Sequence, residues 1–219
     1  MADKHQPTWE DRGDGAVWIS HDKVKPSDLP RLSAVRNLTV WNVRFPDGLL
    51  AQLPNLEFLD IRGGSRADLA LLDGCQRLRG LVVNQVRGLS DAGSVSTLDG
   101  LEILSFYGLA KLQALPPMRR LTRLRRLELG QLRGLTDWSS VLELVSLEEL
   151  LFKNKLVPDR AVIDRLAHYS TLRYFDWWGP DEPQSTLKYV RESLGRERPP
   201  RTLRPETWFA DYGLSLIHI

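Results

Sequence analysis

Residues 124–146, LRRLELGQLRGLTDWSSVLELVS, carry one copy of a pattern that recurs along most of the 219-residue chain. Apolar side chains stand at Leu124, Leu127 and Leu129, and one then follows at every third position as far as Leu144. The units are spaced 21 to 25 residues apart, and they begin at Val35, Leu56, Leu78, Leu101, Leu124, Leu147 and Leu172. A period of this length indicates a stack of similar units, each of which buries its apolar side chains against its neighbours.

Each unit is expected to contribute one short strand to a parallel sheet. Strand side chains alternate between faces, so the fourth and sixth positions of LxxLxL point into the core, while the third, fifth and seventh lie on the concave face. The spacing of three after each strand favours 3₁₀ or extended segments on the convex side, since these conformations have three residues per turn. Helical spacing in Pro158–Tyr169 and Pro183–Gly195 predicts an α-helix in each.

The ends of the chain depart from the repeat. Val17 and Ile19 stand 21 residues before Leu38 and Val40, which predicts a degenerate opening strand at Ala16–Ser20 and about eight strands in all. The predicted boundaries are a flexible polar tail over 1–14, an N-terminal cap over 15–34, the repeat array over 35–179, a C-terminal cap over 180–213 and a foreign segment over 214–219.

Two expectations concern the C-terminal segments. Trp208 and Phe209 are predicted to pack against the last strand. Residues 214–219, LSLIHI, read like the translation of a sequencing-library adapter, so we expect the native sequence to diverge near Leu214.

The LxxLxL cores between Val35 and Gly179 resemble those of the bacterial leucine-rich-repeat proteins, closest in repeat length to the internalin-like and phosphatase-regulatory-subunit-like class. The resemblance implies an α/β leucine-rich-repeat solenoid with a curved parallel sheet, and it implies a protein partner. One feature departs from the family, which usually has Asn three positions after the last strand leucine. That position here holds Val43, Val86, Leu109 and Leu132, so backbone or other groups must satisfy the turns.

Composition excludes several function classes. The formal net charge of +2 gives no strong attraction to nucleic acid or membrane. The single cysteine, Cys75, cannot form an internal disulfide, and its place in the apolar spacing predicts core packing. The N-terminus has no apolar signal segment, and no apolar run is long enough to span a bilayer. The sequence therefore predicts a soluble, cytoplasmic, monomeric protein.

The second position of the repeats alternates in charge. It reads Arg36, Glu57, Arg79, Glu102, Arg125, Glu148 and Arg173. In-register strands lie about 4.8 Å apart, so each interior charge would stand between two of opposite sign. We interpret this row as a structural charge ladder, with a binding row as the alternative.

The concave rows are irregular in sequence, as expected of a recognition surface. They are rich in aromatic and Arg side chains, which interfaces favour as anchors. The candidate partner-binding residues are Trp41, Phe58, Asp60, Arg62, Tyr107, Arg126, Glu128, Lys153, Tyr174, Asp176 and Trp178. For Trp41 and Trp178, packing under the terminal caps is the alternative.

The sequence predicts neither an enzyme nor a cofactor. The four histidines lack metal-ligand spacing. Asp60, Glu128 and Asp176 share a row, but strand spacing separates them by about 14 and 10 Å. The arginines near Arg123 are offset by glutamates and have no aromatic stacking set, which argues against nucleic-acid binding.

Two functions remain open from the sequence. The first is a protein-interaction module that uses its concave face, including an immunity or antitoxin-type binder. The second is the repeat half of a longer protein whose activity lies in a missing C-terminal part.

Overall fold

The computed structural model describes residues 6–157 and 159–198. Their strands form one nine-stranded sheet in sequence order, in which β1 is antiparallel to β2 and all later neighbours are parallel. The strands are β1 (Thr8–Asp11), β2 (Ala16–Ser20), β3 (Asn37–Trp41), β4 (Phe58–Arg62), β5 (Gly80–Asn84), β6 (Ile103–Tyr107), β7 (Arg126–Gly130), β8 (Glu149–Lys153) and β9 (Tyr174–Trp178). The predicted opening strand and the seven repeat strands are confirmed, each at its predicted position.

The prediction of a flexible tail over 1–14 is wrong for β1. This strand pairs with β2 through a turn in which Gly13, Asp14 and Gly15 all have positive φ. Trp9 anchors it, because its Nε1 donates to Asp22 Oδ2 at 2.6 Å. The polar composition concealed a hairpin whose turn sequence, Gly-Asp-Gly, tolerates left-handed backbone.

The convex side consists mainly of short 3₁₀ helices, as the spacing of three predicts. They span Pro26–Asp28, Leu50–Gln52, Ala70–Leu72, Gly93–Thr97 and Ser139–Glu143. Between them and the sheet lies a continuous core, in which the repeat-opening leucines Leu78, Leu101, Leu124 and Leu147 are fully buried. The core is thus one stack of leucines that runs the length of the array.

Backbone hydrogen bonds close the turns in place of the missing asparagines. One residue directly after each strand from β2 to β8 is left-handed, with φ between 52° and 70°: His21, Asn42, Gly63, Gln85, Gly108, Gln131 and Asn154. Its N–H donates to the last carbonyl of the next strand, as in Asn42 N to Arg62 O at 2.8 Å and Gln131 N to Lys153 O at 3.0 Å. The hydrogen-bonded ladder therefore extends one residue beyond each strand without a side chain.

Three α-helices complete the described chain: α1 (Leu29–Leu32), α2 (Arg160–Leu166) and α3 (Gln184–Leu194). The two predicted helices are confirmed as α2 and α3. Asp159 caps α2 by accepting from Val162 N at 3.2 Å, and α3 ends at left-handed Gly195. The expectations for Trp208, Phe209 and residues 214–219 fall outside the described residues.

The charge ladder is present at four steps. Arg36 and Glu57 approach to 2.9 Å, Glu57 and Arg79 to 3.8 Å, Arg79 and Glu102 to 3.1 Å, and Arg125 and Glu148 to 3.9 Å. Glu102 also binds Arg123 at 3.1 Å and is only 8% exposed. Substitution of Glu102 is therefore expected to reduce the stability of the array more than substitution of any other member of the row.

Reversing the charge of Glu102 tests the ladder. Glu102→Arg should lower the free energy of unfolding by at least about 1 kcal/mol, because it breaks two ion pairs and adds like-charge repulsion. Urea denaturation at low and high salt measures this, and added salt should restore part of the loss. Glu102→Gln is the control for repulsion. Equal stability of wild type and Glu102→Arg at low salt would refute the ladder.

Candidate functional site

The concave face is built from the third, fifth and seventh positions of each repeat. Strict register places these positions side by side, for example Asp60 opposite Val82 and Arg62 opposite Asn84. Each row therefore runs across the sheet at strand spacing. The predicted rows of candidate residues are confirmed as rows, and their side-chain contacts divide the face into three regions.

The N-terminal region joins two tryptophans to an ion pair. The Trp18 and Trp41 rings meet edge to face at 6.2 Å, and the Arg62 guanidinium lies 5.8 Å from the Trp18 ring. Arg62 donates from Nε to Asp60 Oδ2 at 2.9 Å, and its Nη2 lies 2.8 Å from the same oxygen. Trp41 is half-buried against these neighbours, so it packs on the opening strand while keeping one side accessible.

The central region contains two ion pairs in which the carboxylate is buried and the cation is partly exposed. Glu128 is 6% exposed, accepts from Ser105 Oγ at 2.9 Å and lies 3.3 Å from Lys153 Nζ. Glu149 is 3% exposed, with its Oε1 3.2 Å from Arg126 Nε. Buried and charge-compensated groups hold their partners in fixed positions. We call the side chains of Arg126, Glu128, Glu149 and Lys153 the floor of the concave face, because their mutual contacts make this part of the surface rigid.

Tyr107 crosses this floor along the seventh row. A Cβ on Gly130 would lie 2.5 Å from Tyr107 Cδ2, so the ring fits only because residue 130 is glycine. The Tyr107 hydroxyl is hydrogen-bonded to Asn154 Nδ2, two strands away. This contact fixes the orientation of a half-buried aromatic ring on the concave face.

The C-terminal region is the most open. Trp178 is 61% exposed, which makes it the one large hydrophobic side chain of the described sheet that is mostly in solvent. Beside it, Asp176 lies 3.7 Å from Arg191 Nη2 and 3.6 Å from Arg198 Nε. Tyr174, at the start of the same strand, is half-buried. An exposed aromatic, a carboxylate and two arginines, one in α3 and one after it, therefore lie together.

Three of the candidate partner-binding residues, Phe58, Asp60 and Glu128, are buried on the concave face. Phe58 was expected to be an exposed anchor, but it is 2% exposed because its neighbours cover it, and the Arg79 guanidinium lies 6.0 Å from its ring. The contacts that Trp18 and Asn154 make on this face were not predicted from the sequence. The position of Trp18 between two inward residues of β2 would have placed it on the concave face.

Burial alters the proton affinity of Asp60 on the concave face and of Cys75 in the core. Burial raises the pKa of the Asp60 carboxyl, although the nearby Arg62 charge and its hydrogen bond act in the opposite direction. Burial also raises the pKa of the Cys75 thiol to about 11. A thiol with this pKa is protonated at neutral pH, so Cys75 behaves as a core side chain.

A metal-binding cluster and a membrane-spanning helix are both absent from the described residues. No group of three or more His, Cys, Asp or Glu side chains is arranged to hold a metal ion in the described ranges. Within residues 6–157 and 159–198, no helix has the length and apolarity needed to cross a membrane.

The single sheet of stacked parallel units, the leucine core and the 3₁₀ convex side define a leucine-rich-repeat solenoid. The chain is similar in structure to internalin C2 of Listeria monocytogenes, at 17% identity and a TM-score of 0.46, over 73% of this chain and 80% of that one. It is also similar to the internalin inlF of that organism, at 16% identity and a TM-score of 0.28, over 79% of this chain and 69% of the other. No family model matches the sequence, and no curated protein matches it.

Proposed function

We propose that this protein is a non-catalytic interaction module that binds a partner protein through its concave face. The carrying observation is Trp178, which exposes 61% of its surface on that face beside Lys153 and Asp176. Exposed aromatics surrounded by charged groups are frequent energetic centres of protein interfaces. A tryptophan left mostly in solvent on a folded sheet favours a surface that a partner covers.

The rigidity of the neighbouring floor supports the same function. Tyr107 is fixed through Asn154, and Lys153 is held by Glu128, before any partner arrives. Side chains that are already ordered lose less conformational entropy on binding. The face therefore combines an open anchor with pre-organised polar contacts, as a specific interface requires.

Truncating the exposed tryptophan tests the proposal. Trp178→Ala should weaken binding of a captured partner by about tenfold or more, because truncation of an interface anchor commonly costs over 1 kcal/mol. Capture with the intact protein identifies the partner, and titration calorimetry with that purified partner measures the loss.

Val145→Ala is the matched control, because Val145 is 65% exposed but lies outside the sheet. Both variants should melt close to wild type, since neither side chain is in the core. Equal affinity of Trp178→Ala, Tyr107→Ala and wild type would show that the partner binds elsewhere.

A further inference from the structure

The exposed Trp178 lies on the same strand as the last described residues of the chain. After α3, Glu197 forms a parallel bridge with β9, and its carbonyl accepts a hydrogen bond from Phe175 N at 2.9 Å. The next residue, Arg198, lies with its Nε 3.6 Å from Asp176 Oδ1. The described chain therefore ends along the outer edge of β9, which is the last strand of the sheet.

The direction of this contact leads the chain toward Trp178. In a parallel bridge the residue numbers of both segments increase in the same direction. Asp176, which Arg198 contacts, precedes Trp178 by two residues, or about 7 Å at the rise of a strand. The next two residues, Pro199 and Pro200, have no N–H and cannot donate to the ladder. Further contacts with the Trp178 ring therefore depend on side chains.

The rest of the chain has the length and the side chains for such a contact. Residues 199–219 lie outside the described part of the chain, and their sequence includes the adjacent aromatics Trp208 and Phe209. The ten residues from Arg198 to Trp208 can span up to about 33–36 Å. Trp178 is 61% exposed, so an aromatic ring can reach it from solvent. Aromatic pairs gain ring contacts in addition to the burial of apolar area.

We propose that residues 199–213 are the intramolecular occupant of the Trp178 surface. Trp208 and Phe209 cover the Trp178 ring when no partner is bound, and a partner must displace them. The assignment rests on the proposed function of the concave face, and it adds the regulation of the same site. A segment joined to its site by a short linker competes at a high effective concentration. The fraction of molecules with Trp178 uncovered then sets the apparent affinity for the partner.

Solvent access to the Trp178 indole tests the contact in the full chain. The protein is isotope-labelled at tryptophan, the Nε1–H signal of Trp178 is assigned with Trp178→Phe, and a soluble gadolinium chelate is added. We expect this signal to resist broadening in the wild type and to broaden in Trp208→Ala/Phe209→Ala. The buried Trp138 and Trp177 should stay protected in both, which reports an intact fold. Equal broadening of the Trp178 signal in both proteins would overturn the proposal.

Leu214→Ala/Leu216→Ala is the matched control, since it removes two apolar side chains from the segment that we expect to be foreign. Trp178 should stay protected in this variant, and its exposure there would refute the assignment to residues 199–213. The measurement is repeated after about tenfold dilution, because cover by a second copy of the chain depends on protein concentration. Protection that disappears on dilution would refute an intramolecular contact.

The partner assay separates this claim from the proposed function. Trp208→Ala/Phe209→Ala should bind the partner more tightly than wild type, by about fivefold if the site is open in roughly one fifth of the molecules. If Trp178→Ala weakens binding but the double variant neither exposes Trp178 nor tightens binding, the segment claim is refuted and the concave interface stands. If the double variant exposes Trp178 but Trp178→Ala leaves partner binding unchanged, the interface at Trp178 is refuted and only the intramolecular contact stands.

Discussion

Leu127→Asp is expected to abolish cooperative folding of the array. Leu127 is fully buried in β7, with β6 on one side and β8 on the other. An aspartate there would place a charge among leucines with no compensating cation, and the measured cost of an unpaired buried charge is about 3–5 kcal/mol. Removal of the leucine packing adds to this. The sum approaches the whole stability of an ordinary domain, about 5–15 kcal/mol.

Thermal melting followed by circular dichroism measures the effect. Leu127→Met is the control, since a volume-conserving apolar change should cost less than about 1.5 kcal/mol. Because each repeat contacts only its neighbours, a break at β7 also disconnects the two halves of the stack. A melt of Leu127→Asp close to that of wild type would contradict the assigned register.

The sequence predicts the repeat strands because one rule governs them all. The LxxLxL period states which residue of each strand faces the core, and stacking then fixes the rows. The repeat pattern does not predict the strand Thr8–Asp11, because this strand is antiparallel to β2 and pairs with it through a hairpin outside the repeat. Its only signals are the turn glycines and Trp9, and neither belongs to the repeating pattern.

Contacts between side chains on neighbouring strands were much harder to predict than the face of the sheet on which each side chain lies. The period places Tyr107 on the concave side, but it does not state that the ring crosses Gly130 to reach Asn154, 47 residues later. Phe58 is a second example, since the Arg79 guanidinium, which belongs to the charge ladder, lies 6.0 Å from its ring. Long side chains reach neighbouring rows, and their rotamers depend on every adjacent residue.

The environment of the Asp60 carboxylate could not be foreseen from the sequence either. Its Oδ1 is buried and has no hydrogen-bond donor among the described residues. Asp60, Glu128 and Asp176 occupy one row and look equivalent, yet each has different neighbours. Glu128 is satisfied by residues on both adjacent strands, whereas the neighbours of Asp60 in its row are Thr39 and Val82. The value of each carboxylate as a binding group is therefore set by the residues directly across from it.

Phe152→Ala should produce the second large loss of stability. Phe152 is 1% exposed in β8, and its ring meets those of Trp138 and Phe175 at 5.2 Å and of Trp177 at 5.5 Å, all edge to face. Removing a buried Phe typically costs about 3–5 kcal/mol, and each edge-to-face pair adds about 0.5–1.5 kcal/mol. We expect a loss of at least about 4 kcal/mol in urea denaturation.

Hydrogen exchange distinguishes this loss from that of Leu127→Asp. Phe152 lies in the penultimate strand, so its truncation should expose the amides of β8 and β9 first while β3 to β6 keep their protection. Phe152→Leu, which fills most of the space, should retain protection throughout. Since Trp178 lies on β9, partner binding should weaken in Phe152→Ala even though Phe152 is buried. A loss below about 1 kcal/mol, or uniform loss of protection from β2 to β9, would show that the aromatic cluster does not hold the C-terminal end in place.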